Sequence, residues 1–204
     1  MESHTNLKII PDVPVIYQYP VLPTGCEATA LTMLLQWYGV ETTKEKVADA
    51  LVKEPLPFEQ DGKMKGGNPY RAFVGDPYTK ESFGVFHGPI AQALNHFLPG
   101  KADDLTGLTF KDLINKIDQN KPTIVWMSLD LKELRVTDIW EDINNCGEKI
   151  EWRSPEHCAL LIGYDESNVF INDPHIGKTE KYPTKIFQDK WEQLGSQAVT
   201  IKDQ

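Results

Sequence analysis

Residues 157–174 read HCALLIGYDESNVFINDP. Two apolar runs, His157–Tyr164 and Val169–Asn172, flank the turn-forming stretch Asp165–Asn168, and this pattern predicts an antiparallel hairpin. One strand opens on a histidine and its partner closes on Asp173, so the turn brings an imidazole and a carboxylate to the same end of a sheet. Working outward, Thr123–Leu129 (TIVWMSL) is apolar and β-branched enough for a buried strand. Lys178–Tyr182 predicts a short strand, Thr184–Gln193 a helix and Ala198–Ile201 a last strand. The second half is therefore expected to be an antiparallel sheet. Residues 130–155 read as irregular and polar, with the acidic run between Glu133 and Glu151 as a solvated face.

The first half carries helical signals. Cys26–Tyr38 runs without Gly or Pro and sets Ala30, Met33, Leu34, Trp37 and Tyr38 at helical spacing. Thr24 and Gly25 supply helix-start chemistry, and Gly39 ends the run. Thr42 and Glu45 have capping-box spacing and predict a second short helix through Val47, Ala48 and Leu51. Pro89–Phe97 and Thr109–Gln119 read as two more helices. Pro11–Tyr19 suits an extended entry segment. Glu54–Gly88, rich in Pro, Gly and aromatics, predicts a long ordered loop that serves as a binding wall. The fold class is α+β, with an N-terminal helical half packed on a C-terminal antiparallel sheet. Residues 1–10 are expected to be an N-terminal extension and residues 11–204 a single domain.

A formal charge of −9, with no basic run, argues against a nucleic-acid partner. No apolar stretch is long enough to span a bilayer, and Met1–Lys8 lacks the apolar segment of a signal peptide. The chain as it stands is expected to be soluble: cytoplasmic, or extracellular or in the cell envelope if an export signal has been removed. Three cysteines leave at least one thiol free. The sequence assigns no oligomeric state.

Thiolate chemistry needs a cysteine whose charged form is stabilised, and a helix N-terminus offers unpaired N–H groups and a positive dipole end. Cys26 is placed there. It also needs a base, and a third group to orient that base. His157 and Asp173 meet the requirement across the hairpin, with Asn172 as the neighbouring substitute for Asp173. The competing readings are a core thiol for Cys26 and a turn residue for Asp173.

Gln18, the segment Pro23–Leu31 (PTGCEATAL), His157 opening an apolar strand and Asn172-Asp173-Pro174 together resemble the papain-like peptidases related to the double-glycine leader peptidases of bacteriocin exporters. The resemblance extends through Gly67-Asn68-Pro69, Phe73–Pro77 (FVGDP) and Trp191, and is especially close to the stand-alone bacterial members. It implies a papain-like cysteine peptidase fold, with Cys26 as nucleophile, His157 as general base and acid, Asp173 as orienting carboxylate and Gln18 as oxyanion donor. The transporter-linked members have a shorter glutamine-to-cysteine spacing and a glycine where this chain has Glu27, so leader cleavage after paired glycines does not carry over.

The expected activity is hydrolysis of a peptide or other amide bond through an acyl-enzyme. Alternatives are acyl transfer or deamidation by the same triad, and a catalytically idle domain that binds peptide or cell-wall fragments. No cofactor and no metal are expected. Cys146, Cys158, His87 and His157 do not make a zinc site, because adjacent strand residues point to opposite faces. Cys158 reads as core and Cys146 as a loop thiol. His4, His87, His96 and His175 default to surface or capping roles.

Overall fold

The computed structural model describes residues 7–202. Helix α1 (Cys26–Trp37) is buried at every residue from Cys26 to Leu35, which requires protein on all sides of it. Gly25 precedes it because a Cβ there would stand 2.8 Å from Leu22 Cβ and 3.3 Å from Pro77 Cβ. Thr24 does not cap the helix: its hydroxyl donates instead to the carbonyls of Thr79 (2.9 Å) and Asp76 (3.4 Å). Gly39, at φ +89°, turns the chain away from the helix end.

The main sheet is built from β6 (Ala102–Asp104), β7 (Thr123–Ser128), β10 (Glu156–Tyr164), β11 (Asn168–Asp173), β12 (Lys178–Pro183) and β13 (Ala198–Ile201), in the order β12-β11-β10-β7-β13-β6. These neighbours are all antiparallel. A short β1 (Lys8–Ile9) adds to β10, so part of the expected N-terminal extension lies in this sheet. His4 and residues 1–6 lie outside the described residues.

Period-two alternation divides the core. Ile124, Trp126, Cys158, Leu160 and Ile162 join α1 and α3 (His87–Phe97) on one face. Val125, Met127, Ala159 and Leu161 join α4 (Phe110–Asp118) and α5 (Thr184–Gln193) on the other. The α+β fold expected from the sequence is the one observed, and helices α1, α3, α4 and α5 lie where the patterns placed them, within two residues at their ends. Helix α2 (Lys44–Ala50) is capped by Thr43, whose hydroxyl accepts from Lys46 N–H at 3.3 Å, and not by Thr42.

Two stretches expected to be irregular form a second sheet. The segment expected as a loop contains β2 (Lys53–Glu54), β3 (Phe58–Gln60), β4 (Lys63–Gly66) and β5 (Phe73–Val74). Within 130–155 lie β8 (Arg135–Asp142) and β9 (Lys149–Ser154), giving a sheet in the order β3-β4-β8-β9. Trp140, Ile150 and Trp152 face inward while most of their neighbours on these strands are exposed. The many charges mark the outer face of a one-sided sheet, which hid its alternation.

The acidic run is not wholly a solvated face either. Asp142 is fully buried and accepts from Arg71 Nη1 (2.6 Å) and Nη2 (2.7 Å) and from Asn68 Nδ2 (2.9 Å). Glu54 binds Asn68 N–H at 2.7 Å and Asn144 Nδ2 at 2.9 Å, so the network ties the Gly67-Asn68-Pro69 segment to the second sheet. Arg71→Ala leaves the buried Asp142 carboxylate without its cationic partner, with only the Asn68 amide and the Asn144 N–H (2.8 Å) still bonded to it. A stability loss of about 2–3 kcal/mol is expected, below the range for fully buried pairs because the guanidinium is 39% exposed. A lowered urea midpoint at unchanged slope checks this, and an unchanged midpoint contradicts it.

Candidate active site

Cys26 is the first residue of α1, so its N–H has no carbonyl four residues back within the helix. The hairpin comes to it from the sheet. Leu160 pairs with Asn172, and continuing that register puts Asp173 opposite Ala159, two residues along from His157 on the same face. His157 Nε2 meets Asp173 Oδ1 at 2.8 Å, with both side chains buried. The bond engages Nε2 and leaves Nδ1 as the ring's other nitrogen.

Asp173 also accepts from His175 N–H at 2.8 Å and lies 3.4 Å from the Tyr182 hydroxyl. Burial pushes its carboxyl up, but the His157 hydrogen bond and charge, with the His175 N–H, outweigh burial and hold it below the ordinary value. Asn172 is committed elsewhere: Nδ2 reaches the carbonyls of Val13 (3.3 Å) and Pro14 (3.1 Å), and Oδ1 accepts from Thr179 at 2.7 Å. Between the two candidates, the structure sets Asp173 against His157.

Cys26, His157 and Gln18 line one cleft of about 280 Å³, walled by Tyr19, Phe83 and Trp152 among others. A larger hollow of about 550 Å³ between Gln36 and Lys46 holds neither a thiol nor an imidazole. Gln18 is 3% exposed. Its Nε2 donates to the carbonyls of Leu22 and Pro23, each at 3.1 Å, and its buried Oε1 has no partner among the described residues. In this arrangement both amide hydrogens are committed to the chain that leads into α1.

The Cys26 thiol donates to Glu27 Oε2 at 3.3 Å, and the Cys158 backbone N–H points at its sulfur. Burial first, then the negative charges of Glu27 and Glu156, push the thiol well above its ordinary range, against the pull of that N–H. Glu27 is fully buried, and its Oε1 accepts from Val85 N–H at 2.7 Å. The Glu156 Oε1 atom is buried and has no hydrogen-bond partner among the described residues. Burial pushes Glu27 up to about 7, against its hydrogen bonds, and Glu156 well above its ordinary value.

Cys26, Glu27 and Glu156 bring a sulfur and two carboxylate oxygens within 4.8 Å of one another. The Cys26 thiol donates a hydrogen bond to Glu27 within this group, so its members are coupled through their protons.

Glu156 was not singled out in the sequence, and His175 was read there as a surface or capping histidine. His175, half-buried, lines the cleft, and its Nδ1 hydrogen-bonds the Tyr19 hydroxyl at 2.9 Å. His87 pairs with Asp104 Oδ2 at 2.6 Å. Cys146 is exposed and Cys158 buried. The signal available for Glu27 was a carboxylate inside an otherwise uncharged helical run, directly after the cysteine.

A buried helix that opens on a cysteine, and shares a cleft with a histidine held by an aspartate, defines a protein of the cysteine-peptidase type. The model of the Peptidase_C39-like family matches residues 10–199, and the chain belongs to that family. The uncharacterized protein YvpB of Bacillus subtilis (strain 168) is 32% identical over 183 residues, which are 90% of this chain and 71% of YvpB. The crystal structure of a Bacillus anthracis protein described as a C39-like peptidase matches with a TM-score of 0.87 at 35% identity, covering 97% of this chain and 98% of that one. The peptidase domain of Streptococcus ComA, a bifunctional ABC transporter of a quorum-sensing pathway, matches with a TM-score of 0.54 at 14% identity, over 94% of this chain and 99% of that domain. That last likeness is one of fold alone.

The buried carboxyls make stability depend on pH. Glu27 and Glu156 are raised in the folded chain, so the stability they contribute is complete below the unfolded carboxyl range and is lost as pH rises through their raised folded-state values, about 7 for Glu27. Asp173 is lowered, so its contribution is present above that range and is lost as pH falls further. The melting temperature is expected to peak near about pH 5 and to decline toward about pH 8, with a smaller decline in Glu27→Gln. A level profile between those pH values contradicts this.

Proposed function

We propose that the protein is a thiol hydrolase that cleaves a peptide or other amide bond. The observation that carries the reading is the 2.8 Å bond between His157 Nε2 and Asp173 Oδ1, in the same cleft as a cysteine at the start of a buried helix. Residues 11–204 act in it as one peptidase domain.

His157 Nδ1 takes the Cys26 proton, and the thiolate sulfur bonds to the amide carbonyl carbon, whose π electrons move onto oxygen. Asp173 holds the ring through Nε2 and stabilises the imidazolium. Collapse of the tetrahedral species expels the amine, which leaves with the proton from Nδ1. Water, deprotonated by the same nitrogen, then attacks the thioester, and the thiol re-forms with release of the acid. The N–H of Cys26 is one donor to the oxyanion. Gln18 is the second, once it exchanges one of its two carbonyl partners for substrate oxygen.

One observation favours the idle-domain reading: the resting thiol is buried and bonded to Glu27. Brief iodoacetamide labelling at mildly acidic pH, with mass-spectrometric location of the adduct, separates the two. The hydrolase reading expects labelling concentrated on Cys26 and reduced by about two orders of magnitude in His157→Ala. Cys26 labelling no faster than that of exposed Cys146 contradicts it. Acyl transfer is tested by offering a panel of amines alongside water, and products formed only with amines sink plain hydrolysis. Asp173→Ala is expected to lower turnover by about 10²–10⁴-fold with the fold retained, because the ring loses its orienting partner.

A further inference from the structure

Behind the nucleophile, α1 and β10 enclose two carboxyl groups that the proposed triad does not use. Glu27 follows Cys26 on the helix, and Glu156 precedes His157 on the strand. Glu27 is fixed at both oxygens: Oε1 by Val85 N–H at 2.7 Å, Oε2 by the Cys26 thiol at 3.3 Å. The Val85 bond is made at close quarters, since a Cβ on Gly84, at φ +153°, would run into Glu27 Oε1.

The titratable groups around this point are Cys26 from α1 and Glu156, His157 and Cys158 from β10, with Asp173 from β11 behind the imidazole. The segment that carries Val85 contributes its N–H, and its carbonyl accepts from Trp126 Nε1 at 2.9 Å. Among the described residues no ion pair joins a lysine or arginine to either glutamate.

On the reading of Cys26 as nucleophile, we propose that Glu27 is the proton-holding residue that sets when Cys26 is reactive. Ionised, it accepts the S–H bond seen here and keeps the sulfur a neutral thiol. Protonated, it has an O–H to give, and the thiolate beside an imidazolium becomes the supported form.

The sign of the effect comes from counting protons. The resting cluster, with ionised Glu27, a thiol and neutral His157, carries one dissociable proton. The reactive cluster, with protonated Glu27, a thiolate and an imidazolium, carries two. Raising the pH therefore removes the reactive form, the reverse of an ordinary cysteine, whose reactivity grows with pH. Burial places the Glu27 titration near neutrality. Glu156 is raised as well, by burial and by the charge of Glu27.

The test is the rate at which iodoacetamide alkylates Cys26 between about pH 5 and 9, read by mass spectrometry on the intact chain, for wild type, Glu27→Gln, Glu156→Gln and His157→Ala. The wild-type rate is expected to fall several-fold as pH rises through neutrality. Glu27→Gln keeps the Val85 acceptor but carries no charge, and should remove the fall, leaving Cys26 about tenfold more reactive than wild type at pH 8. Glu156→Gln should retain it. A wild-type rate that climbs with pH throughout overturns the proposal without any variant. So does a fall that survives in Glu27→Gln, which would assign it to His157 alone. Labelling indifferent to His157→Ala overturns the triad instead, and leaves the comparison between wild type and Glu27→Gln readable.

Discussion

The site depends on one constraint: α1 is buried from its first residue. A helix end inside protein must find partners for its free N–H groups, and here the end carries Cys26, with Glu27 directly behind it. Apolar packing by Leu31, Met33, Leu34 and Leu35, all fully buried, fixes the helix against β10, at about 1.5–3 kcal/mol for each such side chain removed from water. That packing holds the sulfur against the Cys158 N–H, one residue from His157.

Burial acts in two opposing directions on the same atoms. It favours chemistry by excluding water and by holding His157 and Asp173 in one geometry. It also raises the thiol and both glutamates, which disfavours the charged sulfur the chemistry needs. The helix N-terminus alone does not make Cys26 a thiolate. On the proposed reading, proton positions on Glu27, Glu156 and His157 decide its state, and Cys26 is read together with the residue that follows it.

Much of this was legible in the sequence where one physical signal dominated. The hairpin from His157 to Asp173 showed because apolar alternation flanks a clear turn, and α1 showed because nothing in Cys26–Tyr38 breaks a helix. The second sheet was hidden because β8 and β9 bury only Trp140, Asp142, Ile150 and Trp152 beneath a charged outer face. Asp142 was hidden for the same reason, as a buried carboxylate among solvated ones. Gln18 was visible only through family resemblance, and its two carbonyl partners depend on the path of 18–25, which no periodicity encodes. Glu156 was invisible because its neighbour Glu27 comes from the other half of the chain.

The most direct measurement is the fate of an activated acyl ester, such as a p-nitrophenyl ester, mixed with the folded protein and quenched in acid during turnover. The account predicts an acyl mass on the peptide that contains Cys26, formed and then lost as water releases it, and missing in Cys26→Ala. Hydrolysis that persists in Cys26→Ala, or an acyl mass on Cys146 but none on Cys26, would contradict the assignment of Cys26 as the nucleophile.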